Sequence, residues 1–174
     1  MHAINTLQLL LRLRPDAPLP VRIAAFGHDI ERSFPYPVKT RKERFSDYNA
    51  FKQAHADNSA RILQAILLKC RVDEKVAHRV HDLVRAHEFG GDQWSDVLKD
   101  ADSLSFFCVN LPLYMQREGP ETVGKRIAWG IERLSPRALD LLKQWCKRGE
   151  PDLGDYNKAN WPAKPVLEQL DQLI

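Results

Sequence analysis

The segment from Ala24 to Arg32 constrains the fold of this chain most, because it places a neighbouring imidazole and carboxylate, His28 and Asp29, in an apolar helical stretch. At about 100° per residue, both polar side chains share one side of the helix with small apolar residues. Phe26 and Ile30 cover the opposite side. A helix that is apolar all round is typical of a protein interior, so we expect this helix at the centre of the fold.

Burial of the His-Asp pair predicts a metal site. Polar side chains inside a protein must be hydrogen-bonded, ion-paired or bound to a metal. The central helix is predicted from about Pro20, in its first turn, to Ser33, ahead of Pro35 and Pro37. Two potential ligands side by side in such a helix suggest a cation whose other His and Asp ligands come from neighbouring helices.

Two histidines outside the central helix fall on inward-facing sides of predicted helices. His2 shares a side with Leu9 in a first helix predicted over about 2–13. His55 lies in the apolar sector of a long helix, predicted over about 46–69 with a Ser or Asp cap at its start. Both imidazoles are therefore candidate ligands.

A further predicted helix, which begins after Asp73 and ends at a Gly-Gly pair, carries His87 within its apolar stripe. His87 is therefore a candidate ligand as well. His78 lies opposite the stripe and His81 lies at its flank. The second His-Asp pair of the chain, His81-Asp82, is accordingly interpreted as a surface feature.

Asp102 is the second carboxylate candidate. On a helix predicted over about 95–109, Asp102 lies on the same side as Leu98, whereas Asp100 projects roughly the opposite way. We therefore expect Asp102 to bind the metal. Asp100 would support a ligand or cap a helix, since metal-bound imidazoles usually need a partner for their second N–H group.

The pattern of the whole chain favours an all-helical fold in a single domain. A chain of 174 residues is about one domain in length, and it contains no credible series of strands and no internal repeat. Residues 1–148 are predicted as the helical domain. Residues 149–174 are predicted as an irregular C-terminal wrap, rich in Pro and Gly, that ends in a short helix near 166–173.

Charge and cysteine content limit the partners and the compartment. With 26 basic and 23 acidic residues the net charge is only +3, so no stable nucleic-acid complex is expected. Cys70, Cys108 and Cys146 are odd in number and widely spaced, which is typical of reduced thiols and predicts a cytoplasmic protein. The first residues resemble neither a signal peptide nor a membrane span, so no membrane partner is expected. The sequence does not indicate an oligomeric state.

The loop predicted over 34–45 carries four basic residues, Lys39, Arg41, Lys42 and Arg44. One interpretation is an ordinary solvated loop. The other is a lid that meets an anionic substrate.

These motifs resemble the HD superfamily of metal-dependent phosphohydrolases, an all-helical fold named for its His-Asp pair. The resemblance rests on His2, on Ala-Phe-Gly-His-Asp-Ile over 25–30 and on Lys-Asp-Ala-Asp-Ser-Leu over 99–104. It covers about 1–142. The chain is also similar to a group of bacterial HD-like proteins without assigned function, a likeness that supports the fold more than any substrate.

The segments 52–60 and 86–91, which contain His55 and His87, resemble the extra histidine sites of the two-metal members of this superfamily. The resemblance implies one or two divalent ions, with Mn, Fe, Co, Ni, Zn and Mg as candidates. The implied ligands are His2, His28, Asp29 and Asp102 for one metal, and His55, His87 and a bridging Asp29 for a second.

The resemblance also implies catalytic roles. Asp29 would act as a metal ligand in catalysis, with a metal-activated water as the nucleophile. Arg32 and Lys52 are the candidate cations that offset charge on the leaving phosphate. For both cations the alternative is a salt bridge to a structural acid.

At two places the chain departs from the motifs of the superfamily, and each departure argues against one of the activities found in it. The one-metal nucleotidases are expected to have an acid at the third position after the His-Asp pair, where this chain has Arg32, and Glu31 lies one position earlier. The Gly-Tyr-Pro signature of the cyclic-dinucleotide branch is absent. The first departure argues against the one-metal nucleotidase mechanism, and the second argues against a cyclic dinucleotide as the substrate.

The sequence predicts a metal-dependent phosphohydrolase, either a phosphomonoesterase or a phosphodiesterase. Its partner would be a small phosphorylated substrate that resembles a nucleotide. One alternative is a non-catalytic metal-binding helical protein that senses or binds a phosphorylated ligand. Another is a structural helical bundle whose inward-facing histidines are only hydrogen-bonded.

Overall fold

The computed structural model describes residues 1–151 and 161–173. Every regular element in these two ranges is helical, which confirms the all-helical class. None of these helices is both long enough and apolar enough to cross a membrane. The α-helices are α1 (His2–Leu13), α2 (Leu19–Gly27), α3 (Tyr48–Lys69), α4 (Glu74–Ala86), α5 (Gln93–Ser105), α6 (Leu111–Met115), α7 (Pro120–Glu132), α8 (Pro136–Arg148) and α9 (Ala163–Leu173).

The chain forms two compact units. We call Leu10–Lys99 the central unit, and Met1–Leu9 together with Asp100–Ile174 the terminal unit. The boundaries between them fall within α1 and within α5. The predicted division of the chain at residue 148 stays a prediction.

The central unit is built from α2, α3 and α4. Side-chain caps determine where two of these helices begin, because Asp47 accepts hydrogen bonds from the first turn of α3 and Asp73 does the same for α4. Mostly small residues form the core where the three helices pack, which allows their backbones to approach closely. The fully buried members include Ala24, Ala25, Ala56, Ala60, Ala77, Val80 and Val84.

The central helix, α2, is shorter than the sequence predicts, and one of its sides is exposed. α2 ends at Gly27, so His28 and Asp29 lie at its C-terminal end and not in the middle of a helix. A 3-10 turn over Ile30–Ser33 follows, closed by the hydrogen bond from Arg32 N to Asp29 O at 3.0 Å. The tighter i→i+3 bonding replaces the α-helical pattern here.

The expectation that α2 is buried all round is wrong. Phe26 is 57% exposed, and only the side with small residues is fully covered. Helix packing buries one stripe of a helix, and in the central unit that stripe carries Val21, Ala24 and Ala25.

The terminal unit contains the helical run that follows Asp100. The helix predicted over about 95–109 begins at Gln93 and passes into a π-helical turn, Phe106–Asn110. α6 then starts with Pro112 in its first turn, where a missing N–H group is tolerated. Helical structure therefore continues beyond the predicted end.

The last helices of the terminal unit agree with the sequence pattern. Ser135 caps α8 through its side chain, and Pro136 occupies the first turn. The predicted C-terminal short helix is present as α9. The predicted irregular wrap falls largely on residues 152–160, which lie outside the described residues.

Candidate metal centre

Three fully buried imidazoles converge in the central unit. His28 follows the last residue of α2, His55 lies within α3, and His87 follows the last residue of α4. The ring centroids of His28 and His87 are 5.1 Å apart, and those of His55 and His87 are 5.7 Å apart. Side chains from three helices thus meet at one place.

Two of these rings are oriented by backbone carbonyls. Nδ1 of His28 lies 2.9 Å from the carbonyl oxygen of Ala25, and Nδ1 of His87 lies 2.6 Å from that of Val84. Carbonyls in the last turn of a helix lack an α-helical partner. Each ring donates its Nδ1–H to one of them, and the carbonyl of Val84 also accepts the backbone N–H of His87 at 3.3 Å. Nε2 is then the ring atom that can bind a metal.

His55 lies between two carboxylates. Its Nε2 is 2.7 Å from Oδ1 of Asp29, and its Nδ1 is 2.6 Å from Oε1 of Glu31. Burial lowers the pKa of His55, but the hydrogen bonds to Asp29 and Glu31 outweigh it and raise the pKa above its usual value. Both ring nitrogens of His55 thus face carboxylate oxygens, an arrangement that favours the protonated ring.

The carboxyl groups of Asp29 and Glu31 are ionised, because hydrogen bonds to them outweigh the effect of burial on their pKa values. Burial raises the pKa of Asp29, yet the hydrogen bond from His55 and the charge of Arg32 hold it well below the usual range. Burial likewise raises the pKa of Glu31, but hydrogen bonds from His55, Thr40 and Asn58 lower it to about 2. The site thus carries two fixed negative charges.

Glu31 is a residue that the sequence reasoning missed. It was considered only as a departure from a nucleotidase motif, whereas in the structure it is fully buried and positions His55. Its second oxygen accepts hydrogen bonds from the hydroxyl of Thr40, at 2.7 Å, and from the amide of Asn58. The available signal was an acid two positions after Asp29 in an apolar stretch, where a buried charge needs a partner.

Glu88 was missed as well. It is buried beside His87, with Oε1 3.3 Å from His87 Nε2. Lys52, itself buried, forms an ion pair with the same carboxylate. A lysine on an inward-facing position of α3 indicates that a buried acid must be present, but the sequence alone does not say which acid.

Arg32 lies beside Asp29, with Nε 3.4 Å from Oδ2. Burial lowers the pKa of Arg32, but the charges of Asp29 and Glu31 outweigh it and raise the pKa, so the guanidinium stays charged. Its side chain is 38% exposed. Arg32 is thus both an ion-pair partner of Asp29 and a cation at the surface of the site.

The donor sets fit a divalent metal. The ligand atoms of His28, Asp29 and His87 lie within 4.8 Å of one another, and so do those of His55, His87 and Glu88. Two atoms that bind one ion at about 2.0–2.2 Å are at most about 4.4 Å apart. Both groups are therefore close to coordination distance, and mixed imidazole and carboxylate donors suit Mn, Fe, Co, Ni and Zn.

The terminal unit brings His2 and Asp102 together. Nε2 of His2 lies 3.0 Å from Oδ1 of Asp102, and Oγ of Ser105 lies 2.8 Å from His2 Nδ1. The other oxygen of Asp102 is 3.3 Å from Nη2 of Arg133. These contacts hold His2 against α5. The predicted sharing of one metal by His2, Asp102 and the residues of the central unit stays a prediction.

Asp100 has a capping role. Its Oδ1 accepts a hydrogen bond from the backbone N–H of Ser135 at 2.8 Å, and Oδ2 accepts one from the Ser135 hydroxyl. Ser135 is the N-cap residue of α8. These contacts agree with the capping role considered for Asp100, whereas metal binding by Asp102 stays a prediction.

The remaining sequence expectations concern the surface. His81 and Asp82 are 29% and 65% exposed, so the second His-Asp pair is a surface pair as predicted. Cys70, Cys108 and Cys146 form no disulfide within residues 1–151 and 161–173. Three of the four basic residues of the loop lie over aromatic rings, Lys39 and Arg41 over Tyr36 and Lys42 over Tyr48. The role of the loop stays a prediction.

Comparison with known proteins gives three findings. Over 86 residues the chain is 34% identical to a CC-adding tRNA nucleotidyltransferase of Thermus thermophilus, a match that spans 49% of this chain and 19% of that protein. No solved structure matches the chain significantly. Residues 1–150 match the model of a family described as a domain of unknown function, DUF4202. Because that match spans most of its length, the chain belongs to the DUF4202 family.

Proposed function

We propose that this protein is a metal-dependent phosphohydrolase that acts on a small, nucleotide-like phosphate ester. The observation that carries the proposal is the convergence of His28, His55 and His87, all fully buried, on the ionised carboxylate of Asp29. Imidazole and carboxylate ligands together are typical of sites for catalytic divalent metals.

The ligand assignment combines geometry and resemblance. His28, Asp29 and His87 offer one set of donors, and His55, His87 and Glu88 offer an overlapping one. The resemblance adds His2 and Asp102 to the ligands of one metal and makes Asp29 the bridging ligand. A bound divalent metal supplies an activated water and neutralises the charge of phosphate oxygens.

The residues of the chain have distinct tasks in this proposal. Asp29 stays ionised at neutral pH because His55 and Arg32 stabilise its charge, so a ligand is ready without loss of a proton. Glu31 holds the ring of His55 through Nδ1, as carboxylates behind metal-bound imidazoles do. Arg32 is exposed enough to contact a phosphate oxygen, whereas buried Lys52 acts through Glu88.

The substrate class rests on the comparison. The relative matched over 86 residues is a CC-adding tRNA nucleotidyltransferase, an enzyme whose name refers to nucleotides and to tRNA. Similarity over a fifth of that protein does not bring its reaction to this chain. It supports a substrate that contains a nucleotide phosphate.

A second candidate is a non-catalytic protein that binds a metal or a phosphorylated ligand. The observation in its favour is that His55 is bonded through both nitrogens and Lys52 is paired with Glu88. Buried polar groups of the site therefore satisfy one another. Such a protein would retain metal without turnover.

Metal analysis and hydrolysis assays separate these functions. We expect protein purified without chelators to contain at least one divalent metal per chain, and to hydrolyse bis-p-nitrophenyl phosphate or p-nitrophenyl phosphate with added Mn²⁺. Asp29→Ala and His28→Ala should remove both metal and turnover. The surface variants His81→Ala and Asp82→Ala are matched controls, because they change the same residue types at exposed positions.

Each outcome is decisive. Turnover that survives in the Asp29→Ala variant would contradict the proposed mechanism. Metal without hydrolysis of either ester would favour the non-catalytic protein. Absence of bound metal after incubation with Mn²⁺ and Zn²⁺ would leave a structural helical bundle.

A further inference from the structure

Helix α7 carries a stack of cationic and aromatic side chains that the proposed metal centre does not use. The guanidinium of Arg126 lies 4.4 Å from the centroid of Trp129, and that of Arg133 lies at the same distance, 4.4 Å, from the same ring. Arg126 also lies 4.2 Å from the ring of Phe106. Spacings of three and four residues place Arg126, Trp129 and Arg133 on one face of the helix.

The charge of Arg133 has a partner. Its Nη2 is 3.3 Å from Oδ2 of Asp102, whose other oxygen contacts His2. Only 9% of the Arg133 side chain is exposed. Arg133, at one end of the stacked cluster, therefore pairs with Asp102, which the sequence predicts as a metal ligand.

The guanidinium of Arg126 differs from that of Arg133 in its hydrogen bonding. Its Nη1 is buried and has no hydrogen-bond partner within residues 1–151 and 161–173. None of the residues three or four positions away on α7 is acidic, so no helical ion pair is available. Aromatic rings cover the guanidinium, and its N–H groups can therefore bind a ligand only at the edge.

A stacked guanidinium is well suited to an oxyanion. Aromatic contacts fix the plane of the group and its direction, so that less side-chain entropy is lost when a ligand binds. The N–H groups at the edge form a fork that matches two oxygens of a phosphate. With two guanidinium groups and one carboxylate, the cluster carries an excess positive charge.

We propose that Arg126 binds the phosphate group of a phosphorylated ligand within the terminal unit, and that Trp129 and Arg133 are positioning residues for it. This inference rests on the proposed function in one respect, namely that the ligand belongs to the class of phosphorylated compounds on which the protein acts. Arg126 would then determine affinity for phosphorylated compounds. Arg133 would connect the bound phosphate to Asp102 through the Trp129 ring.

Titration of inorganic phosphate into the full-length chain tests the proposal. Binding is measured by calorimetry and by tryptophan fluorescence, with protein as purified and again after chelation of metals. We expect Arg126→Ala to weaken phosphate binding by about tenfold or more, since a charge-assisted pair of hydrogen bonds is lost. Arg126→Lys should give an intermediate affinity because the charge remains and the fork is lost.

The matched control is Lys125→Ala. Lys125 is the neighbouring cation on α7, is 76% exposed and pairs with Glu121. The Lys125→Ala variant should bind phosphate as tightly as the unmodified chain. Circular dichroism and the thermal midpoint show whether each variant folds, and Arg126→Gln, which keeps a planar polar group, replaces Arg126→Ala if that variant is unfolded.

The result that overturns the proposal is phosphate affinity that is unchanged in a folded Arg126→Ala or Arg126→Gln variant, or absence of phosphate binding by the unmodified chain. Failure of the proposed function looks different. If no ester is hydrolysed but phosphate binding depends on Arg126, the inference holds and the enzyme assignment fails. If esters are hydrolysed and phosphate affinity is unchanged in the Arg126 variants, only the inference fails.

Discussion

Nε2 of His55 lies 2.7 Å from Oδ1 of Asp29, so two residues predicted to bind the same metal are hydrogen-bonded to each other. The opposite ring nitrogen, Nδ1, is bonded to Glu31. A neutral imidazole has one N–H group, and donation to two carboxylates requires the charged form. The proton on Nε2 therefore occupies the position at which His55 would bind a metal.

Metal binding at His55 should release a proton. Burial lowers the pKa of His55, but the hydrogen bonds to Asp29 and Glu31 outweigh it and raise the pKa, so the protonated ring is favoured and must lose Nε2–H before Nε2 coordinates a metal. We expect metal affinity to rise as the pH rises toward the pKa of His55. Calorimetry in buffers that differ in ionisation enthalpy measures the number of protons released.

The control for proton release is His81→Ala, because His81 is an exposed histidine away from the cluster. It should release the same number of protons as the unmodified chain. A metal affinity that does not change with pH would contradict metal binding through His55.

Glu31→Gln should destabilise the fold at neutral pH by about 2–4 kcal/mol, because it removes one partner of a buried charged network. Burial raises the pKa of Glu31, but the hydrogen bonds from His55, Thr40 and Asn58 lower it to about 2. A depressed carboxyl pKa stabilises the folded state above the unfolded value near 4.5, and this contribution is lost as the pH falls toward 2.

Chemical denaturation at a series of pH values measures this effect. The difference in unfolding free energy between the unmodified chain and Glu31→Gln should be constant above pH 5 or so and should shrink below it. Glu43→Gln is the control, since Glu43 is an exposed acid in the neighbouring loop. A difference that does not change with pH would show that Glu31 is not ionised in the folded protein.

Lys52→Met tests the buried pair with Glu88. The substitution leaves Glu88, which is 1% exposed, without its cation, and we expect a loss of about 3–5 kcal/mol in unfolding free energy. The double variant Lys52→Met, Glu88→Leu should recover most of this loss, because no unpaired charge then remains buried. Equal stability of the single and double variants would contradict the pairing.

Gly130→Ala tests the packing of the terminal unit. A Cβ at Gly130 would lie 2.9 Å from Cζ of Phe107, a fully buried aromatic ring, and overpacking of this kind costs about 1–3 kcal/mol. Gly124→Ala on the same helix is the control, because its Cβ would meet only Gln169 at 3.6 Å. Thermal unfolding should show a lower midpoint for Gly130→Ala and an equal or higher midpoint for Gly124→Ala.

The helical class and most helix boundaries could be predicted from the sequence. Local rules decide them, as the caps formed by Asp47, Asp73 and Ser135 show. The inward positions of His55 and His87 also followed from helical periodicity alone. The exposed position of His78 and the half-buried position of His81 at the flank followed from the same periodicity.

The end of α2 and the exposure of Phe26 could not be predicted in this way. Whether a helix continues through His28 depends on where that ring finds its hydrogen bond, which is the carbonyl of Ala25. Whether Phe26 is covered depends on what packs against α2. The end of α2 and the exposure of Phe26 therefore depend on contacts that the local sequence does not specify.

The sequence by itself determined that this chain is helical and that its buried positions carry imidazoles and carboxylates. Only the tertiary structure decided which charges meet, because Glu31 reaches His55 and Glu88 reaches Lys52 across 24 and 36 positions of the chain. Helical periodicity reports the side of a helix on which a residue lies, and burial requires that each charge has a partner. The identity of that partner depends on how helices pack, and packing is set by the shape of the whole core.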